Sequence, residues 1–500
     1  MLPSNANKKS EKTRPLVKET ISITLFFSDM IAMSLSFILA LLTAQFLKDL
    51  IFPGIYNKPL SDYTMIRDLF FVWMCPIVLF LFFTKGHYTQ RVPWWSQVQN
   101  VLSVCLMALI MDGFIRFALD MSFSRLLIGL SWVYVFFLTL TGRQIVYAIA
   151  RKKNIWRIPT ILIGDINTIT DVLFAFNADL YTGYDIKTVS LRDREAAKGL
   201  DMSAIPAQYK DINVIHGKIN YHEYIQQNID HFFVISLETF RGEERDELIN
   251  ALTELKALYA IVPPVSRVSL FEMEPRYFFG YDIMLLHAKT SIFSPMGRFL
   301  KRTMDIGIAS AALICLSPVI LSVMALLKIE GQGGSFFYGG YRIGRNGNKF
   351  KCWKLQSMEP NTDHLLHELL ERDPEAKAQW EEFRKLRDDP RVTTKTARII
   401  RKTSIDELPQ LWNVIIGDMS LVGPRPILDE EVPLFGDAIK HYYQVRPGIT
   451  GLWQVSGRSD ASFDRRVYWD GWYVRNWSVW GDIVIMIKTL RVVLGGSGAY

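Results

Sequence analysis

Four cysteines in 500 residues leave little room for sulfur chemistry. Cys75, Cys105 and Cys315 lie inside apolar runs and Cys352 stands alone, a spacing that excludes a disulfide framework and a zinc pattern. Glycine is missing where a dinucleotide would need it. The strand-like Pro159 to Gly164 leads into Asp165-Ile-Asn-Thr-Ile169, so two of the three glycines of the G-x-G-x-x-G turn are absent and backbone cannot approach a pyrophosphate closely. A scaffold or regulatory role for this turn therefore outweighs nucleotide binding. No small-residue cleavage site ends the first apolar run, and Lys8, Lys9, Lys12, Arg14 and Lys18 precede it, so the run reads as a retained anchor. A concentrated basic patch is lacking too. The 57 Lys and Arg against 50 Asp and Glu give a net charge of +7, but these residues are scattered among apolar stretches, which argues against nucleic acid and for anionic lipid.

Apolar matter is what the chain has in quantity: 49% hydrophobic and 13% aromatic side chains, with 21% charged, describe part membrane and part aqueous protein. After a cytoplasmic tail (1–20), four runs at roughly 22–47, 67–84, 97–119 and 124–149 approach the ~20 residues that span a hydrocarbon core. They predict a four-helix transmembrane bundle over 21–150. Positive charge before the first run, between the second and third (Lys85, Arg91) and after the fourth (Arg151, Lys152, Lys153, Arg157) puts both ends of the bundle in the cytoplasm. Asp29, Asp112 and Arg116 interrupt these runs; helix pairing or an interfacial position explains them more simply than a transport pathway. Alternating strand-like and helix-like text over about 158–268, including Phe232 to Ser236 as a strand and Glu243 to Tyr259 as a helix, predicts a degenerate Rossmann-like cytoplasmic domain within 151–290.

A fifth apolar segment, Ile306 to Ile329, carries Ser317-Pro318 at its middle. Proline removes a backbone donor and a neighbouring serine can re-satisfy the freed carbonyl. Basic residues on both flanks (Arg298, Lys301, Arg302; Lys328, Arg342, Arg345) favour a re-entrant helix over 303–329, broken at Ser317 and Pro318, over a plain fifth span with a kink. Beyond it the text pairs Arg or Lys with Gly or Pro repeatedly: Arg342-Ile-Gly-Arg345, Lys349 to Lys354, Arg398 to Lys402, Gly423-Pro-Arg425-Pro426, Arg446-Pro-Gly448 and Gly457-Arg458. Rigid loops presenting cations suit a polyanionic substrate read at a membrane surface, with a basic lipid-facing surface as the simpler alternative.

Within this block lies Arg401-Lys-Thr-Ser404-Ile-Asp406-Glu407-Leu-Pro409-Gln410. Ser404 and Glu407 have capping-box spacing, which would make the carboxylates structural, but Pro409 would then fall at the fifth helical residue, where its missing N–H breaks a bond. A helix starting at Asp406 avoids that and leaves an ionised Asp406 near Arg401, able to attack phosphorus or hold a divalent cation. In the charged stretch between Pro360 and Pro390, His364, His367, Glu368 and Glu371 read as a solvated amphipathic helix rather than a metal site. Trp469, Trp472, Tyr473, Trp477 and Trp480, among Arg465, Arg466 and Arg475, suggest a helix seated in a lipid interface, with core packing for some of them.

The run from about Arg298 onward resembles the bacterial sugar transferase family of monotopic phosphoglycosyl transferases, and the bundle with its degenerate α/β domain resembles the long, polyprenyl-linked subfamily. The likeness rests on Ser317-Pro318, Arg401 with Ser404 to Asn413, Gly417-Asp-Met-Ser420, Gly423-Pro-Arg425-Pro426, Arg446 to Gly451 and Asp470 ahead of Tyr473 to Trp477. It implies a membrane protein of α plus α/β class with an α/β monotopic catalytic domain over 291–500. It further implies that Asp406, assisted by Glu407, attacks the β-phosphate of a UDP-sugar in a Mg²⁺-dependent reaction, with Asp406 the metal partner, and that undecaprenyl phosphate accepts the sugar phosphate. Arg401 and Arg425, and more weakly Lys354, Arg446 and Asp470, are the implied substrate and phosphate contacts. UDP-galactose is the first donor implied and UDP-glucose the second, in the initiation of an O-antigen at the bacterial inner membrane. Where the family often has arginine two residues after the lysine of its strand, this chain has Gln356, a contact that Arg342 or Arg345 would have to supply. A membrane-anchored dehydratase would need the intact glycine turn, and a pure scaffold would tolerate loss of either carboxylate of the dyad. A homodimer is expected for so large an apolar bundle.

Overall fold

The computed structural model describes residues 6–51, 65–120, 124–191, 212–217, 219–240, 242–263, 274–277, 284–287, 294–360, 362–376, 389–456 and 463–494. They divide into two compact units, Met1–Pro264 and Val265–Tyr500.

The first unit opens with four helices, α1 (Ala6–Ile51), α2 (Met65–Thr84), α3 (Trp94–Ala118) and α4 (Arg125–Lys152). The stretches Ile21–Leu47, Trp94–Ala118 and Arg125–Lys152 are long and apolar enough to cross a membrane. The second expected span coincides with α2, which has 20 residues, and its apolar stretch among the described residues is Phe71–Thr84. Outward-facing Leu42, Phe46, Ile110, Phe114 and Phe117 are exposed, while charge is turned inward. Asp29 of α1 accepts two bonds from Arg143 of α4, Nε to Oδ1 at 3.1 Å and Nη2 to Oδ2 at 2.7 Å, and a third from the Tyr88 hydroxyl at 2.7 Å. Arg116 pairs with Asp112 one turn earlier, and Trp132 Nε1 donates to the same carboxylate at 3.1 Å. Helix pairing is thus what Asp29 and Asp112 do, and Arg116 is the intrahelical partner of Asp112. Arg143, a lone cation in apolar text, gave no sequence signal.

Five parallel strands follow: β1 (Ile158–Gly164), β2 (Tyr184–Leu191), β3 (Asn213–His216), β4 (Phe232–Ser236) and β5 (Leu258–Val262), in the order β3-β2-β1-β4-β5. Between them run α5 (Ile166–Ala178), α6 (Tyr221–Gln227) and α7 (Glu243–Glu254). Side chains alternate as a pleat requires: Ile161 and Ile163 of β1 pack with α6 and α7, and Leu162 packs with Ile169 and Leu173 of α5. The helix expected over Glu243 to Tyr259 stops at Glu254, because Lys256 takes the left-handed conformation (φ 52°) and turns the chain into β5. Order reverses between β1 and β4, where a doubly wound sheet would bind a ligand. The chain's own Asp165 occupies that point. Its carboxylate caps α5 through Thr168 N at 2.9 Å and accepts from Ser236 Oγ at 3.1 Å and Thr239 Oγ1 at 3.3 Å. A Cβ on Gly164 would lie 2.6 Å from Ser236 Cβ, so this glycine serves close packing of β1 on β4.

In the second unit the strands β6 (Glu274–Tyr277) and β7 (Met284–His287) form a hairpin, and α8 (Pro295–Ile329) is again long and apolar enough to cross a membrane. It runs without interruption through Ser317 and Pro318, so that pair does not break the helix. The repair is visible: Pro318 leaves the Ile314 carbonyl without its N–H, and Ser317 Oγ donates to it at 2.8 Å. Buried Asp305 in α8 accepts from Ser420 Oγ at 2.8 Å and Leu421 N at 3.2 Å, anchoring strand β10 (Ser420–Val422). β10 pairs in parallel with β11 (Gly448–Thr450). Tyr473 and Trp477 belong to this core and not to an interface: both donate to Asp482, at 2.8 and 2.9 Å, as does Lys301 at 2.7 Å.

Candidate active site

Three local structures converge on the Asp406-Glu407 pair. The first is an antiparallel hairpin, β8 (Phe337–Ile343) with β9 (Lys349–Leu355), that carries Lys354. The second is the short helix Lys395–Lys402, whose first turn is tied to the end of α8 by Glu330, an acceptor for Thr396 N at 3.0 Å and Thr396 Oγ1 at 2.9 Å. The third is the 3-10 turn Ile405–Glu407 and the helix Gln410–Ile416 that follows it. Ser404 makes no side-chain cap and takes the left-handed conformation (φ 56°), so the capping-box alternative is not realised. Pro409 sits at the boundary of the second helix, where its missing N–H costs no helical bond.

Asn413 holds the hairpin against this helix. Its buried amide accepts from Trp353 N at 3.0 Å and donates to the Lys351 carbonyl at 2.7 Å, acting as a short strand on the open edge of β9. Lys354 is thereby fixed beside the dyad, and its Nζ donates to Glu407 Oε1 at 2.6 Å. The Asp406 carboxyl has no ion pair among the described residues. Burial pushes it up to about 6, with Glu407 adding to the rise and Lys354 and Arg401 opposing it. Asp406 is therefore less acidic than its position before a helix suggested, because desolvation outweighs its cations. Arg401 acts on it only at a distance; its nearer carboxylate is Asp389, at 3.9 Å, which also holds Arg391 at 2.9 Å. Asp389 was not singled out in the sequence; the Asp388-Asp389-Pro390-Arg391 run carries its only signal.

The glycines of the Gly-Pro-Arg-Pro and Arg-Pro-Gly loops are explained by contact. A Cβ on Gly448 would meet Gly423 N at 2.1 Å, and one on Gly423 would meet the Arg446 carbonyl at 2.5 Å. Only bare backbone fits where Gly423, Gly448 and the Arg446 carbonyl meet, and Arg425 and Arg446 each stand two residues from one of these glycines. Arg425 is exposed, with its guanidinium 5.9 Å from the Trp453 ring. Arg446 is partly spent on structure, since its Nε donates to the Gly417 carbonyl at 2.7 Å while Arg302 caps Val414 and Ile415 of the same helix. Asp470 is buried and stands near Arg466 and Arg425 instead of the dyad. Gln356, in place of the family's arginine, turns its amide to the Met358 carbonyl at 3.3 Å. Gly457 and Arg458 lie outside the described residues.

Among the described residues no three His, Cys, Asp or Glu side chains converge as a metal cage, and that includes His364 and Glu368. A magnesium ion, held typically by one or two carboxylates and by substrate phosphates, fits the dyad's donor set, in which Asp406 has no protein cation of its own.

The chain is 33% identical over 482 residues to the UDP-galactose-lipid carrier transferase of Erwinia amylovora, covering 96% of this chain and 98% of that one. It is 35% identical over 422 residues to the undecaprenyl-phosphate galactose phosphotransferase of Salmonella typhimurium, covering 83% and 84%. The exopolysaccharide production protein ExoY of Sinorhizobium fredii is 49% identical over 212 residues, 42% of this chain and 93% of that one. With residues 296–496 matching the family's own pattern, the chain belongs to the bacterial sugar transferase family.

Proposed function

We propose that this protein transfers galactose 1-phosphate from UDP-galactose to undecaprenyl phosphate, releasing UMP. The observation that carries the reading is Asp406: a carboxyl without an ion pair among the described residues, beside a Glu407 already held by Lys354. An Asp406 oxygen attacks the β-phosphorus of the donor, and the bond from that phosphorus to the oxygen bridging to UMP breaks. The product is an aspartyl sugar-phosphate anhydride. A phosphate oxygen of undecaprenyl phosphate then attacks the same phosphorus, and the Asp406 carboxylate leaves with its electron pair. Lys354 orients Glu407, and Arg425 offers an exposed guanidinium to the phosphates. Mg²⁺, held by Asp406 with Glu407 beside it, would neutralise diphosphate charge when bound.

Relatives named for galactose and a lipid carrier support galactose as the sugar; initiation of an O-antigen is the task we propose for the reaction. We read α8 as re-entrant, with both flanks on the cytoplasmic face of the inner membrane, and the chain as a homodimer. An impermeant thiol probe should reach cysteines introduced at Ser294 and Gly333 from the same face, and light scattering should give twice the chain mass; opposite labelling or a monomer mass would reject the respective part.

UMP release tests the reaction directly, using the full chain in lipid particles with undecaprenyl phosphate and Mg²⁺. UDP-galactose should support release that Asp406→Asn abolishes and a chelator suppresses. Release from UDP-glucose alone overturns the donor, and full activity of Asp406→Asn overturns the nucleophile.

A further inference from the structure

Four polar atoms lie buried and without a partner close to one another in the second unit: Trp453 Nε1, Arg466 Nε, Arg466 Nη2 and Asp470 Oδ2. Their residues form one cluster. The Arg466 guanidinium lies 5.4 Å from the Trp453 ring centroid and that of Arg425 lies 5.9 Å from the same ring, while both cations act on the Asp470 carboxyl. Arg466 and Asp470 are four residues apart on the helix Phe463–Arg475, hence on one face. Asp470 is only 3% exposed. Arg466 spends a single, long bond of 3.5 Å on Glu431. A buried polar atom left unpaired is costly, and a protein rarely tolerates several together unless something fills the space between them.

The chemistry of these atoms is specific. They comprise one carboxylate acceptor flanked by guanidinium and indole N–H donors, next to an aromatic face. A phosphate has no use for the carboxylate. A planar group bearing carbonyl, N–H and carbonyl in sequence matches donor, acceptor, donor. Uracil presents that edge through O2, N3–H and O4. Cytosine offers two acceptors and an amine, which would set its N3 lone pair against the carboxylate. The cluster is also linked to the dyad: the charges of Lys354, Glu407 and Arg425 all act on buried Cys352 of β9, and Arg425 lies 5.9 Å from the Trp453 ring. A donor with phosphates at Arg425 and its sugar-bearing phosphorus at Asp406 leaves the nucleoside to reach the cluster.

We propose that Trp453, Arg466 and Asp470 form the recess that reads the uracil edge of the nucleotide. This rests on the reading of the protein as a UDP-sugar-dependent transferase. Calorimetric binding of UMP and CMP to the full chain in lipid particles at pH 8, where the Asp470 carboxyl is ionised and can only accept, tests it without turnover. Wild type should bind UMP at least about tenfold tighter than CMP. Trp453→Phe, which deletes one N–H and keeps the ring, and Asp470→Asn should each lower UMP affinity about tenfold while leaving CMP nearly unchanged. Equal binding of UMP and CMP by wild type overturns the proposal. So do unchanged affinities in both variants, the result if ordered water alone fills the recess. Altered discrimination between UDP-galactose and UDP-glucose with UMP binding intact also overturns it, because the recess would then hold the hexose. UMP release from a UDP-sugar by a protein whose variants bind UMP normally sinks the recess and spares the reaction; selective UMP binding without any release does the reverse.

Discussion

Asp406 and Asp470 are two carboxyls that burial makes harder to ionise, to about 6 and about 7. For Asp470 the cause is burial, opposed by Arg466 and then Arg425, neither of which reaches it with a hydrogen bond. An unfolded aspartate loses its proton near 3.9, so between about 4 and 7 the folded chain keeps a proton that the unfolded chain has released. The stability this protonated carboxyl brings is complete below about 4 and is lost as pH rises through about 7. Asp470→Asn, neutral at every pH, should therefore melt above wild type at pH 8, by roughly 3–6 °C, and level with it at pH 4. A gain of the same size at both values would mean that ionisation is not the cause. If the variant is also the weaker nucleotide binder, stability has been given up for recognition at this residue.

Helix pairs show the same logic in an apolar setting. Asp29 and Arg143 join α1 to α4 through two hydrogen bonds, both side chains fully buried. Removing one partner strands a charge, at a cost of about 3–5 kcal/mol, whereas replacing both with apolar residues can be nearly neutral. Asp29→Ala should lower the thermal midpoint of the full chain markedly, and Asp29→Leu with Arg143→Met should recover most of the loss. No recovery in the double variant would give the pair a role other than stability. At this scale local text was legible where one residue forbids alternatives. Pro409 excluded a helix running through it from Ser404, although the helix expected from Asp406 begins only at Gln410, after a 3-10 turn, and Ser317 beside Pro318 announced the carbonyl it repairs. Where geometry comes from a residue with no conformational signature, the text misled: Lys256 turns the chain left-handed without being a glycine, and α7 ended five residues before the expected Tyr259. Arg143 was invisible because its meaning is a carboxylate 114 positions away. Trp453 and Arg466 escaped for the same reason, since they gain sense only once their two helices pack, and Asp470 was legible only through the family resemblance.

Seen whole, the chain joins two units of different standing. The ExoY relative of Sinorhizobium fredii is matched over 93% of its length by 42% of this chain, so a chain of that size exists without the rest. The dyad, Lys354, Arg425 and the Trp453 recess all lie in the second unit. A fragment of residues 291–500, purified in detergent, should retain UMP release within about tenfold of the full chain, after a check of its folding by circular dichroism. A folded but inert fragment would give the first unit a part in the chemistry. That unit's sheet already answers one question about itself. At the crossing of β1 and β4 Asp165 is a tethered anion, held by Thr168, Ser236 and Thr239 and kept below the usual carboxylate range by those hydrogen bonds despite its partial burial. A nucleotide arriving from solution would compete there with a rival whose local concentration never falls, however long one waits or however much is added.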